Sequence, residues 1–412
     1  MATIKPPSAP TLKRSLSLTM LVFYGLGVTV GAGIYVLIGR VAGVAGVYAP
    51  ASFLVAAVLA GLSAFAFAEL SARFPRSAGE AVYVYQGFDS RAFATIVGLL
   101  VVLSGLVSSA ALANGFVGYL QTVVAVPAWI ALPIIVFALG ALAAWGIAES
   151  VVVAALVTVV EVGALVVLLG LGFDHLAAAP ARIADFVPPL EAVPLVAVLS
   201  GGVLAFYAFL GFEDMVNVAE EVENAPRTMP AAILATLVIT TVLYLAVAIV
   251  AVSALPLDTL AGTDAPLALL FQKLTGGSSA PIAAIAMAAV VNGALIQIIM
   301  ASRVLYGLAD QAWIPSWLGR VHPRTRTPLN ATATVTVLIL VFALALPLGA
   351  LARITSLAVL TIFAAVNLAL LAVKRRDPRP EGITVYPVVL PVCGFLASLG
   401  VILFEVARIV SG

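Results

Sequence analysis

The sequence predicts an all-α polytopic membrane protein with about eleven transmembrane helices, built as two inverted halves. Three observations carry this. Charged residues are 9% and hydrophobic residues 63% of the 412 positions, with a mean hydropathy of +1.19. A soluble domain carries roughly 25% charged residues, so this chain has too few to cover a water-exposed surface. Apolar runs long enough to cross a bilayer recur along its whole length. Two of them, the first and the sixth, are interrupted by glycine at matching positions.

The runs fall at about 16–39, 49–70, 92–120, 128–147, 150–172, 194–217, 230–254, 281–309, 330–347, 350–373 and 387–409. Pro347-Leu348-Gly349 makes the tight turn between the ninth and tenth. Residues 1–15 are a polar, Pro-rich tail. The first run is longer than a signal-peptide core and ends at no small-residue cleavage site, so it reads as a retained span. Lysine and arginine set the orientation. With the N-terminus in the cytoplasm, fifteen fall on the cytoplasmic side, Arg73, Arg303 and Arg376 among them, and five outside. The five are Arg40, Arg182, Lys273, Arg353 and Arg408. An odd number of spans then leaves the C-terminus outside.

The first span holds Gly25-Leu26-Gly27-Val28-Thr29-Val30-Gly31-Ala32-Gly33-Ile34, with four glycines in nine residues. Each costs roughly 1 kcal/mol against alanine in a helix. Gly31-Ala32-Gly33 reads either as a point where the helix opens or as a small-residue packing face. Backbone freed at membrane depth has to line a cavity or be buried in protein.

The sixth span holds Ala205-Phe206-Tyr207-Ala208-Phe209-Leu210-Gly211-Phe212-Glu213-Asp214, aromatics crowded around one glycine with two acids behind it. Five spans separate the first from the sixth, so the sixth enters from the opposite side. Interrupted spans at matching positions of two inverted halves are the sequence pointer to a midplane transport site. The halves fall at 16–175 and 190–374, followed by a basic loop and last helix at 375–412.

At these residues the chain resembles the amino acid–polyamine–organocation transporter superfamily, bacterial amino acid permeases in particular. Besides the two broken spans, Ala68-Glu69-Leu70-Ser71-Ala72-Arg73 to Glu80 is similar to the loop after helix two. Ala219-Glu220-Glu221-Val222-Glu223-Asn224 with Arg227 resembles the extension after helix six, and Ala301-Ser302-Arg303 the end of helix eight. The resemblance implies the five-plus-five inverted-repeat fold also seen in neurotransmitter-sodium symporters, with discontinuous helices 1 and 6. It implies a secondary carrier of amino acids in a bacterial inner membrane, working by alternating access of helices 1, 2, 6 and 7 against the rest. Substrate would lie at Gly31, Ala32, Gly33 and Ile34 of the first span and Tyr207, Ala208, Leu210 and Gly211 of the sixth. Amides of Ala32 and Gly33 would take the carboxylate, as a helix N-terminus favours an anion. Carbonyls of Tyr207, Ala208 and Leu210 would take the ammonium. Phe206 and Tyr207 stand where the family gates the site.

Two departures stand out. Ala225 replaces the proline of the usual Asn-Pro, with Pro226 one residue later. In many proton-coupled relatives a lysine follows the serine that opens helix five by eleven residues; counting from Ser150 reaches Glu161. An ionised acid at the centre of a span costs about 2.5–3.5 kcal/mol on insertion scales. Glu161 therefore reads as a proton or cation carrier, or as a neutral acid bonded to a freed carbonyl. Glu213 reads as a coupling group or as a solvated acid at a cavity mouth. Asp214 is expected to be solvated or structural.

Glu69, Arg73, Glu80, Glu220, Glu221, Arg227, Arg303 and Arg324 lie near the basic face. Singly they read as solvated loop charges, since surface ion pairs are weak; together they could form an inner gate. Glu405 and Arg408 are spaced to pair. Asn114, Asn292, Gln297 and Asn367 are expected to bond between helices. An enzyme is disfavoured: there is no His-Glu-x-x-His, and His175 and His322 fall in opposite-facing loops. No filter-like repeat suggests a channel. No cofactor, metal or nucleic acid is expected. The expected partners are an amino acid, a proton, with sodium as second choice, and the lipid bilayer. Cys393 is the only cysteine, so no disulfide-linked partner subunit is expected. The chain ends one helix short of the family's usual twelve, outside the five-plus-five core, so transport is expected to survive.

Overall fold

In hydrocarbon every backbone N–H and C=O has to be satisfied within the protein, and the chain meets this with helices. The computed structural model describes residues 16–30, 33–75, 79–145, 151–310, 314–323, 325 and 327–411. Each predicted run is helical. Span 1 is described as Leu18–Val30, its first half, and Gly33–Ala45, its second, on either side of residues 31–32. Spans 2 to 5 are Ala49–Arg73, Arg91–Leu120, Ala128–Trp145 and Val151–Leu171. Span 6 is Ala192–Ala208, continued after a turn by the 3-10 segment Glu213–Glu221. Spans 7 to 11 are Ala225–Ala254, Ala280–Asp310, Leu329–Ala345, Leu348–Arg376 and Val389–Ser411. Eight helical stretches among the described residues are long and apolar enough to cross a membrane unaided, with the second half of span 1 and span 2 counted as one. Span 5 qualifies with its bent continuation, and Leu18–Val30 and Leu329–Ala345 are shorter.

The packing repeats with a period of five spans. The second half of span 1 packs on the first half of span 6, span 2 on 7, span 3 on 8 and span 4 on 9. The cross-contacts obey the same exchange: 1 with 7 mirrors 6 with 2, 1 with 5 mirrors 6 with 10, and 3 with 10 mirrors 8 with 5. Such reciprocity is what two-fold-related units produce. Span 11 lies outside the pattern, against spans 10 and 2.

Several helices were not anticipated. Gly79–Phe88, after span 2, packs on spans 3 and 10. Leu257–Ala261 and Pro266–Thr275, between spans 7 and 8, contact the second half of span 1. The shift from Asn-Pro to Asn-Ala-Pro is absorbed locally: Asn224 takes a left-handed backbone, φ +48°, and Pro226 sits in the first turn of span 7, where its missing N–H costs nothing.

Candidate functional site

Span 6, where it stops, meets span 1 on either side of its undescribed residues 31–32. Span 6 stops at Ala208; Phe209 N–H donates to Phe206 O at 3.0 Å and Leu210 N–H to Tyr207 O at 3.2 Å, tightening the last turn. Gly211 then takes φ +123°, a region that disfavours side chains. A Cβ there would also lie 2.8 Å from the carbonyl carbon and oxygen of Val28. Reciprocally, a Cβ on Gly33 would fall 2.4 Å from Ala208 Cα. Glycine at both positions lets the end of span 6 cross span 1 backbone to backbone. Gly31 and Ala32 lie outside the described residues; Gly33 and Ile34 begin the second half of span 1, both buried.

The carbonyls at this crossing have a protein partner that sequence reading missed. Tyr244 of span 7 aims its single O–H between Thr29 O at 2.7 Å and Ala208 O at 2.9 Å. Its ring is buried, edge-on to Phe53 and Phe209. The carbonyl of Ala208 is thus already engaged, with a second lone pair left for another donor.

Tyr207 turns towards span 3. Its hydroxyl is 3.0 Å from Ser108 Oγ and donates to Ser108 O at 3.1 Å. Phe206 points instead into an aromatic cluster, edge-on to Phe363 at 5.6 Å. Beside the Tyr207–Ser108 contact lies a narrow, partly open cavity of about 20 Å³ between spans 3, 6, 8 and 10. Ser108, Leu210 and Phe363 line it, as do three carboxyl groups: Glu80, Glu213 and Asp214. All three acids are buried. Glu213 accepts from Gly211 N–H at 2.8 Å, and Asp214 accepts from Gln297 at 3.1 Å. Of the two readings of Asp214, solvated or structural, burial and the bond from Gln297 favour the structural one: the tight 3-10 continuation of span 6 turns it onto the cavity wall. Glu80 was misplaced among surface charges. It arrives on the unanticipated helix Gly79–Phe88, for which the capping pattern Ser77-x-x-Glu80 was the available signal. Burial, followed by the charge of Asp214, pushes the Glu80 carboxyl up to about 7.

A profile of the family described as amino acid permease matches residues 15–411. The chain belongs to that family. It is similar to the branched-chain amino acid permease BcaP of Bacillus subtilis (strain 168), 27% identical over 392 residues, 89% of this chain and 82% of that protein. The methylthioribose transporter of the same organism is 26% identical over 389 residues, 89% and 83% of the two chains. Cationic amino acid transporter 9, chloroplastic, of Arabidopsis thaliana is 30% identical over 402 residues, 91% and 69%. This amino acid permease is therefore an integral membrane protein of a transporter family.

Two features stand apart from the permease's cavity. Glu161 is buried in span 5 and does not line it. Its backbone carbonyl accepts from Tyr35 O–H at 2.8 Å, Tyr119 O–H donates to the carbonyl of Tyr35, and the acid lies within electrostatic reach of Tyr35 and Tyr244. Glu69, expected among loose surface charges, is fully buried. One of its oxygens takes Arg73 at 2.7 Å; the other takes Lys374 at 2.7 Å and Tyr386 N–H at 2.9 Å. The pairing of Glu405 with Arg408 is present at 3.0 Å, and Arg353 of span 10 joins it at 3.1 Å. Asn114, Gln297 and Asn367 each bond to another helix.

Proposed function

We propose that the protein is a secondary active carrier that moves an amino acid or a close relative by alternating access, driven by a proton. The observation that supports this best is the close crossing of span 1 by the interrupted end of span 6, beside a narrow, polar cavity. Two half-helix ends so placed offer N–H groups to a carboxylate and C=O groups to an ammonium. In this reading the amides at Ala32 and Gly33, with Gly31 and Ile34 around them, hold the carboxylate. The carbonyls of Tyr207, Ala208 and Leu210, around Gly211, hold the ammonium. Tyr207, bonded to Ser108, is the gate, with Phe206 as its aromatic support. Glu161 and Glu213 are the coupling groups. The repeats are 16–175 and 190–374, the basic face is cytoplasmic, and the membrane is a bacterial inner membrane with the C-terminus outside.

Three carboxyl groups on one cavity favour a second reading, exchange of a basic amino acid or organic amine, since a cationic side chain would neutralise them. Relatives named for branched-chain amino acids, cationic amino acids and methylthioribose span this choice. Proteoliposomes preloaded with single unlabelled amino acids decide it. Counterflow with a subset, stimulated by an inward proton gradient, is the expected result. Counterflow with basic solutes and no gradient effect selects exchange; none with any amino acid or amine overturns both readings.

A further inference from the structure

Threonines in membrane helices usually satisfy themselves. Here Thr241, Thr336 and Thr355 each donate to the carbonyl four residues back, at 2.7, 2.8 and 3.0 Å. Thr29, Thr236 and Thr240 do not. Their hydroxyls are buried, with no hydrogen-bond partner among the described residues. All three lie on spans 1 and 7, which pack together. Thr236, Thr240 and Tyr244 recur every four residues, on one face of span 7. A Cβ on Gly25 would lie 2.7 Å from Thr236 Oγ1 and 2.5 Å from Met215 Sδ, so Thr236 faces span 1 beside Met215. Two turns on, Tyr244 bonds to the carbonyl of Thr29. Thr240 stands one turn from each of these contacts on the same face of span 7. The row therefore runs along span 7 beside Leu18–Val30 of span 1 and ends at Tyr244, which is within electrostatic reach of Glu161.

Buried hydroxyls rarely go unsatisfied, and internal water typically makes about three hydrogen bonds to such groups. We propose that the seam between spans 1 and 7 is a water site, in which Thr29, Thr236 and Thr240 hold an ordered file that passes protons towards Glu161. Each water accepts a proton on one side and releases one on the other, so the hydroxyls keep no net charge. On spans 1, 5 and 7 the charged residues in the described helices are Arg40, Glu161 and Arg227, and Arg40 pairs with Asp264. Tyr35 and Tyr244 face Glu161, and the adjoining 3-10 segment carries Glu213, Asp214, Glu220 and Glu221. The relay role rests on the proton-driven reading above; the water site does not.

Radiolytic hydroxyl labelling of the full chain in lipid nanodiscs, read by mass spectrometry, tests the site at Met215, which is fully buried. Thr236→Val/Thr240→Val is expected to cut the Met215 labelling rate at least fivefold, with buried Phe67 unchanged. Thr240→Ser, which keeps a hydroxyl, is expected to label like the wild type, and Thr240→Val alone serves if the double variant does not fold. Equal Met215 rates with and without the hydroxyls overturn the water site. In proteoliposomes the same valine variant is expected to lose gradient-stimulated uptake severalfold while counterflow stays within twofold. Undiminished stimulation overturns the relay. A wild type that ignores the gradient overturns the proton reading, and the labelling result then still decides the water site.

Discussion

Gly211 shows how much one residue can settle. Its φ of +123° and the Val28 backbone 2.8 Å from any added Cβ are independent obstacles to a side chain. Neither can relax, because the neighbour is main chain. Gly211→Ala is expected to cost about 2–4 kcal/mol, from backbone strain and overpacking together, and to abolish counterflow. Gly163→Ala is the control: nothing lies within 4 Å of its Cβ position, and the substitution is expected to be neutral or slightly stabilising. Thermal unfolding in detergent, paired with counterflow, separates the two. Gly211 was legible in the sequence because a glycine among aromatics at membrane depth is conspicuous. Tyr244 was not, because a tyrosine in an apolar helix reads as packing until its partner at Thr29, 215 residues away, is known.

At the scale of elements, hydropathy located every span, since bilayer thickness fixes helix length. What it could not locate were the short helices, whose composition is mixed, and the depth of charges near span ends. Glu69 illustrates this. Span 2 runs on to Arg73, one turn past the acid, and the loop before span 11 folds over it through Tyr386. A charge that looked like loop became the centre of a buried cluster joining spans 2 and 10. Removing one partner from such a cluster strands the others, at a cost of about 3–5 kcal/mol, whereas replacing the whole set with apolar residues is often neutral. Glu69→Ala is therefore expected to lower the melting temperature more than the triple change Glu69→Leu/Arg73→Leu/Lys374→Met. Fluorescence-detected gel filtration after heating gives the ranking, and a triple variant weaker than the single one would show that the ions themselves hold the two spans together.

For the molecule as a whole, the packing of the spans brings the interrupted end of span 6 against span 1, and the cavity beside it is acidic. Its acids come from span 6 and from a helix outside the spans, so the cavity draws on elements that the repeat alone does not define. Glu80 belongs to that outer helix, and its carboxyl is pushed up to about 7 from an ordinary 4.5, first by burial and then by Asp214. Between those two values the folded protein holds a proton that the unfolded chain has released. Stability therefore falls as pH rises, because it falls wherever the native state binds more protons. The contribution is complete below about pH 4.5 and lost by about pH 7, and at about 1.4 kcal/mol per pKa unit it amounts to a few kcal/mol at most. Glu80→Gln keeps the shape and removes the titration. Melting temperatures at pH 5 and pH 7.5 are expected to differ less in Glu80→Gln than in the wild type, with the gain of the variant confined to the higher pH. A difference as large in the variant as in the wild type would assign the pH response to other groups, with the neighbouring pair Glu213 and Asp214 next to be replaced.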